Sequence, residues 1–146
     1  MKRRGRVYAY VTGPRGILIL EHPQAPEAGL QVPGGTIDEG EEPSRAAIRE
    51  VEEETGLSGV EVVSCLGNCE VDMRRYGVEE LQSAWYFHLA CTQEAPASWY
   101  FHEAHSVKEP IPFRLYWSAL PYAGPELIAI HGLMLASLHA NLEVGV

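Results

Sequence analysis

Eight Asp or Glu residues stand within the 23 residues of segment 35–57, GTIDEGEEPSRAAIREVEEETGL. Carboxylates at that density repel one another, and a bound cation is the usual reason for a fold to keep them together. On a helix turning about 100° per residue, Glu50, Glu53 and Glu54 share one face, because three and four positions separate them. Glu52 falls elsewhere on the helix, toward solvent. Like charges so spaced cost an isolated helix tenths of a kcal/mol per pair, roughly. Hard divalent cations, which prefer carboxylate oxygen, turn that cost into a binding site. Arg49 is adjacent to Glu50 and four residues before Glu53, so it can orient a carboxylate without itself meeting an ion. Glu41 is a partner for the far side of Arg49. Gly34 and Gly35 let the backbone approach a ligand closely, which makes a carbonyl there a further oxygen donor. The plain alternative is a solvated acidic helix face.

The elements that must position these groups follow from periodicity and punctuation. Residues 6–12 (RVYAYVT) and 17–20 read as strands joined by a Gly13-Pro14-Arg15-Gly16 turn. A loop over 21–29 leads to an extended piece at 30–32, and Pro33-Gly34-Gly35 breaks the regularity. Pro43 and Ser44 open a helix that Gly56 stops, with Ser44, Ala47, Ile48, Val51 and Thr55 as its buried stripe. Strands are expected at 60–66, 69–74, 81–91, 99–102 and 113–117. A closing helix is expected at 126–141, with Leu127, Ile130, Leu133, Met134, Leu138 and Leu142 on its apolar side. Strands on both sides of a central helix, with another helix last, predict an α/β (α+β) layered domain with a mixed sheet.

At 146 residues and 16.1 kDa the chain has the length of one domain. Its longest apolar runs fall well short of the roughly 20 residues that span a membrane. The basic start, MKRRGR, precedes too short an apolar run for a signal peptide, so it reads as the lead-in to the first strand. The formal net charge of −9 repels nucleic acid polymers. Small phosphate-bearing ligands remain open to it if divalent cations bridge the two negative parties. Cys65, Cys69 and Cys91 form no spaced framework and read as buried, reduced thiols in a cytoplasmic protein.

Segment 35–57 resembles the Nudix box: Gly, five residues, Glu, seven residues, Arg-Glu, an aliphatic, any residue, Glu-Glu, any residue, Gly, an aliphatic. Gly35, Glu41, Arg49, Glu50, Val51, Glu53, Glu54, Gly56 and Leu57 fill all nine positions. The hairpin before the box and the β region and helix after it extend the likeness over nearly the whole chain. The resemblance implies a single Nudix hydrolase domain over residues 1–146, folded as an α/β/α sandwich around a central mixed β-sheet. It implies a pyrophosphohydrolase that cleaves a phosphoanhydride bond in a nucleoside diphosphate linked to another moiety. By carry-over, Glu50, Glu53 and Glu54, helped by the Gly34 carbonyl, hold Mg²⁺, or Mn²⁺ in its place. Glu50 also serves as general base, oriented by Arg49. Glu50, Arg49 and Glu53 are the catalytic set. Some members of the family use a base outside the box, for which Glu94, Glu103 and Glu109 are the candidates here.

Two further readings stay open: a nucleotide sensor that does not cleave its ligand, and a hydrolase or isomerase of a non-nucleotide diphosphate. The substrate side is less defined. Arg4, Arg6, Arg74, Arg75, Lys108 and Arg114 are candidates to meet phosphates, against a default of solvated turns. Tyr76, Trp85, Tyr86, Phe87, Trp99, Tyr100, Phe101, Phe113, Tyr116 and Trp117 offer faces for stacking, though most are expected in the core. His22, His102 and His105 lack zinc spacing and read as surface or packed residues. The expected partner is a small nucleotide or other diphosphate, with no polymer and no membrane. A homodimer is the assembly common in the family, though the sequence marks no face for it.

Overall fold

A computed structural model describes residues 1–102 and 112–143. Its axis is strand β1 (Lys2–Gly13), in which Val7, Tyr8, Ala9, Tyr10 and Val11 are all buried. Val7, Ala9 and Val11 point into one core, and Tyr8 and Tyr10 into another on the opposite face. A strand covered on both faces carries an unbroken apolar run, which is why RVYAYVT alternates only loosely. β2 (Gly16–Glu21) divides in the same way, with Leu18 and Leu20 against Ile17 and Ile19.

The remaining strands are β3 (Gly34–Thr36), β4 (Val60–Asp72), β5 (Glu80–Cys91), β6 (Ser98–Phe101) and β7 (Phe113–Ser118). They form one seven-stranded sheet in the order β4-β5-β1-β2-β7-β6, with β3 pairing only with β1. The sheet is mixed: β1 and β5 run parallel from Lys2↔Glu80 to Thr12↔Ala90, and the other pairs are antiparallel. Helix α1 (Pro43–Thr55) lies on one face, supplying Ala46, Ala47 and Val51 to its core. Helix α2 (Leu135–Glu143) lies on the other and supplies Leu138. This is the expected α/β/α layering. Among the described residues, no helix is long and apolar enough to cross a membrane.

Several boundaries differ from expectation, each for a non-local reason. β1 begins at Lys2 because its first residues pair with β5. The two strands expected at 60–66 and 69–74 are one strand, β4, ending in a short 3-10 turn at Met73–Tyr76. Its register shifts between Val62 and Ser64 and between Cys65 and Gly67. Bulges of this kind disturb strict alternation. Accordingly Cys65 is exposed while Cys69 is half-buried and packs on the α2-side core, so the thiols are free but not all interior. In α1 the buried set is Ala46, Ala47, Glu50, Val51 and Thr55, whereas Ser44 and Ile48 stand at the margin. The Pro-Gly-Gly break is also overturned, because Gly34 and Gly35 lie within β3.

The closing helix is shorter than expected because its first part serves buried tyrosines. Tyr10 Oη donates to the His131 carbonyl at 2.7 Å, and Tyr86 Oη to the Ile130 carbonyl at 2.7 Å. Ile128 N donates to the Leu30 carbonyl, and Ala129 sits at φ 47. The Ile128 N–H spent on Leu30 and the left-handed backbone at Ala129 interrupt a continuous helical ladder. Leu133, expected on the apolar side, is 52% exposed.

His131 is half-buried in this segment, edge-on to Tyr8, and its Nδ1 accepts the Val32 N–H at 3.1 Å. Burial, reinforced by the charge of Arg6, holds its pKa down to about 4. An unfolded histidine titrates near 6.5, so acid protonates the unfolded chain first. The stability contributed by neutral His131 is complete above about pH 6.5 and is lost as pH falls toward 4. Urea unfolding should therefore show a loss of about 2 kcal/mol from this group between about pH 7.5 and pH 5. His131→Gln, whose amide oxygen can still accept the Val32 N–H, should remove that part of the slope.

Candidate active site

The carboxylate helix is positioned at both ends. Pro43 occupies its first turn, and Gly56, at φ 75, closes it by donating to the Glu52 carbonyl. Trp99 Nε1 donates to the Thr55 carbonyl at 2.9 Å, tying the last turn to β6. Glu52 is exposed, while Glu50 is only 8% exposed and Glu53 and Glu54 are half-buried. The three-and-four spacing thus places Glu50, Glu53 and Glu54 together beside β3.

β3 is the receiving surface. Ala9 N donates to the Pro33 carbonyl and Ile37 N to the Gly5 carbonyl, so odd-numbered positions turn their backbone groups toward β1. Even-numbered positions turn away, toward α1. Gly34 N donates to Glu54 Oε1 at 2.7 Å, and the Thr36 carbonyl accepts Arg49 Nη2 at 3.0 Å. In an antiparallel ladder a residue's N–H and C=O point the same way, so the Gly34 carbonyl also faces the carboxylate side. Gly35 has a different role from the one expected. A Cβ there would overlap the Glu50 carboxyl group, so the missing side chain makes room for a carboxylate of the protein itself.

Arg49 is the hub. Nε and Nη2 donate to the two oxygens of Glu41 at 2.8 and 2.9 Å, a bidentate fork. Nη1 donates to Glu50 Oε1 at 2.9 Å and to Glu53 Oε2 at 3.2 Å. Asp38 Oδ2 lies 3.6 Å from Nε. Hydrogen bonding from Arg49 holds the Glu41 carboxyl down to about 2. The same bonds, those from Glu41 first and from Glu50 next, push the Arg49 guanidinium above its ordinary range. Sequence reasoning missed Thr36 and Asp38. The first acts through its backbone, and no side-chain pattern marks that.

The structure does not bring every candidate here. Glu94 is exposed in the loop after β5, beside Gly13, Arg15, Cys91 and Trp117. Val7, the partner of Gly35, lies six residues back along β1, roughly 20 Å away. Glu103, His105, Lys108 and Glu109 lie outside the described residues. Among the aromatics, Tyr86 and Phe87 are buried, most of the others pack partly on the two cores, and Tyr76 and Tyr100 are exposed. His22 packs edge-on against Phe113.

The donor set suits a hard divalent cation in its chemistry: three carboxylates and one outward carbonyl, with a side-chain-free cradle under Glu50. Among the described residues, no three acidic, imidazole or thiol groups converge on one point. Glu50 and Glu53 are turned to Arg49 and Glu54 to the Gly34 amide, and ion binding would draw some of these oxygens off those partners.

Comparison with known proteins agrees with the fold. The family model described as the NUDIX domain matches residues 2–120. No curated protein matches the sequence. Among solved structures, a MutT NUDIX hydrolase from Burkholderia pseudomallei is 24% identical with a TM-score of 0.62, covering 94% of this chain and 99% of that one. A NUDIX hydrolase from Nitrosomonas europaea is 19% identical with a TM-score of 0.66, covering 96% and 90%. A UDP-X diphosphatase is 18% identical with a TM-score of 0.60; the match takes in 99% of this chain but only 64% of that longer one. At these identities the likeness is one of fold.

The cradle gives a direct test. Gly35→Ala should lose about 1–3 kcal/mol in urea unfolding, because the new methyl and the Glu50 carboxylate compete for one space. Gly5→Ala, whose Cβ would meet the Ile37 side chain at 3.4 Å, should stay within about 0.5 kcal/mol of the parent. Equal stability of the two variants would show that Glu50 is not confined.

Proposed function

This chain belongs to the NUDIX domain family, and on that premise we propose that it is a Mg²⁺-dependent pyrophosphohydrolase acting on a nucleoside diphosphate linked to another moiety. The observation that carries the reading is the Arg49 hub, which gathers Glu41, Glu50 and Glu53 against the outward backbone edge of β3. Glu50, Glu53, Glu54 and the Gly34 carbonyl are the groups that would hold the cation. A divalent ion there would neutralise phosphate oxygens and lower the pKa of a bound water.

The chain's own residues supply the rest. Glu50, lodged over Gly35 and bonded to Arg49, is the carboxylate that receives the proton of the attacking water. Arg49 keeps that carboxylate aimed while its own charge is balanced by Glu41, so it need not contact the substrate. Gly34 N–H steadies Glu54, and the Thr36 carbonyl steadies Arg49. β3 and α1 thereby hold the donor groups in one frame as charge moves onto the leaving phosphate.

A panel of nucleoside diphosphate derivatives with Mg²⁺, with products identified by mass and the water oxygen isotopically labelled, tests the reading and shows which phosphorus is attacked. Glu53→Gln and Glu54→Gln should each lower Mg²⁺-dependent turnover about 10²- to 10³-fold while thermal melting stays near that of the parent. A folded Glu53→Gln protein with near-parental turnover would sink the assignment.

A further inference from the structure

The structure sorts the basic residues that the sequence offers to a substrate anion. Arg4 is paired with Glu80 at 3.4 Å, Arg74 with Asp72 at 2.6 Å and Arg114 with Glu21 at 3.0 Å. Arg75 is exposed at the turn between β4 and β5, over the Tyr76 ring. Arg6 is different. It is half-buried, its Nε is buried with no acceptor, and among the described residues it has no carboxylate partner.

The reason lies in its surroundings. Its guanidinium carbon lies 5.7 Å from the centre of the Tyr8 ring. Tyr8 Oη donates to Gln82 Oε1 at 2.7 Å, and Gln82 Nε2 donates to Glu80 Oε1 at 2.8 Å. Glu80, the buried carboxylate of this polar row, is thus already taken by Gln82 and Arg4. A half-desolvated guanidinium without an anion is costly, and a phosphate oxygen pair is the partner its fork suits best.

Its position is apt. Arg6 pairs with Thr36, whose carbonyl holds Arg49, and Gly34, whose amide holds Glu54, is two residues along β3. Arg6 shares the Tyr8 side of the sheet, and Glu50 lies on the other, over Gly35. β3, only three residues long, separates them, so Arg6 and the carboxylates flank one short strand from opposite faces.

We propose that Arg6 is the anion-binding residue of the site, holding a phosphate of the substrate around the edge of β3 from the glutamate face. The proposal rests on reading that face as the place of phosphoanhydride cleavage. In a chain of net charge −9, it supplies the positive group that the acidic helix cannot.

Inorganic pyrophosphate is the probe. With Mg²⁺ present, its addition to the parent protein should shift the Arg6 Nε–Hε resonance. Arg6→Gln should weaken pyrophosphate binding at least about tenfold, and Arg6→Lys should recover most of it. On the best-cleaved member of the nucleotide panel, Arg6→Gln should raise KM about tenfold with kcat within about threefold. An unmoved resonance, or parental pyrophosphate affinity in Arg6→Gln, overturns the role of Arg6 and leaves the hydrolase reading standing. Loss of pyrophosphate binding in a protein that cleaves no member of the panel upholds the anion site and overturns the hydrolase reading instead. If Arg6→Gln does not fold, the parental resonance and the Arg6→Lys titration decide the matter.

Discussion

The Glu50 carboxylate fills the space that a side chain at Gly35 would need, and Arg49 binds it from the helix side. Most of the site depends on that arrangement. A buried carboxylate requires a charged or hydrogen-bonding partner, and a cation so placed must itself be balanced. Glu41 balances it through two hydrogen bonds, and the Thr36 carbonyl fixes its remaining edge. The strand under the helix must therefore be glycine at one position and must turn a backbone carbonyl outward at the next. β3 meets both conditions because β1 takes up only its alternate backbone groups.

The same strand joins the two halves of the molecule. β1 holds β3 in register while its side chains enter both cores, so the glutamate face and the polar row of Tyr8, Gln82 and Glu80 lie back to back across one sheet. On the α2 side, Tyr10 and Tyr86 fasten residues 130 and 131 through their carbonyls. The sheet is consequently held at β3 by ionic and backbone contacts, and on the other face by aromatic packing with buried hydroxyl donors.

What could be read from the chain follows the range of the forces involved. The shared face of Glu50, Glu53 and Glu54, the exposure of Glu52 and the stop at Gly56 all follow from helical geometry over a few residues. Partners far apart in sequence were not legible. Arg4 and Arg6 look alike along the chain, and only the parallel pairing of β1 with β5 gives Glu80 to one and leaves the other without a carboxylate. The Pro-Gly-Gly segment reads as a break because glycine disfavours strands in general. It is a strand here because it pairs with β1, and glycine suits it at Gly35 because Glu50 needs the room. Residues 126–134 carry helical spacing, yet the Ile128 N–H is spent on Leu30 and Ala129 turns left-handed, while two tyrosines from the sheet bind the carbonyls that follow.

The sequence by itself determined the carboxylate face of α1, the alternation of strands and helices, and the family to which they belong, because spacing within one element is a local property. Tertiary structure decided which glycine is a cradle, which backbone carbonyl steadies Arg49, which of Arg4 and Arg6 stays without a carboxylate and which glutamate lies far along β1 from the others. Each of those outcomes depends on strand register and on what the opposite surface offers, and neither is written in the neighbouring residues.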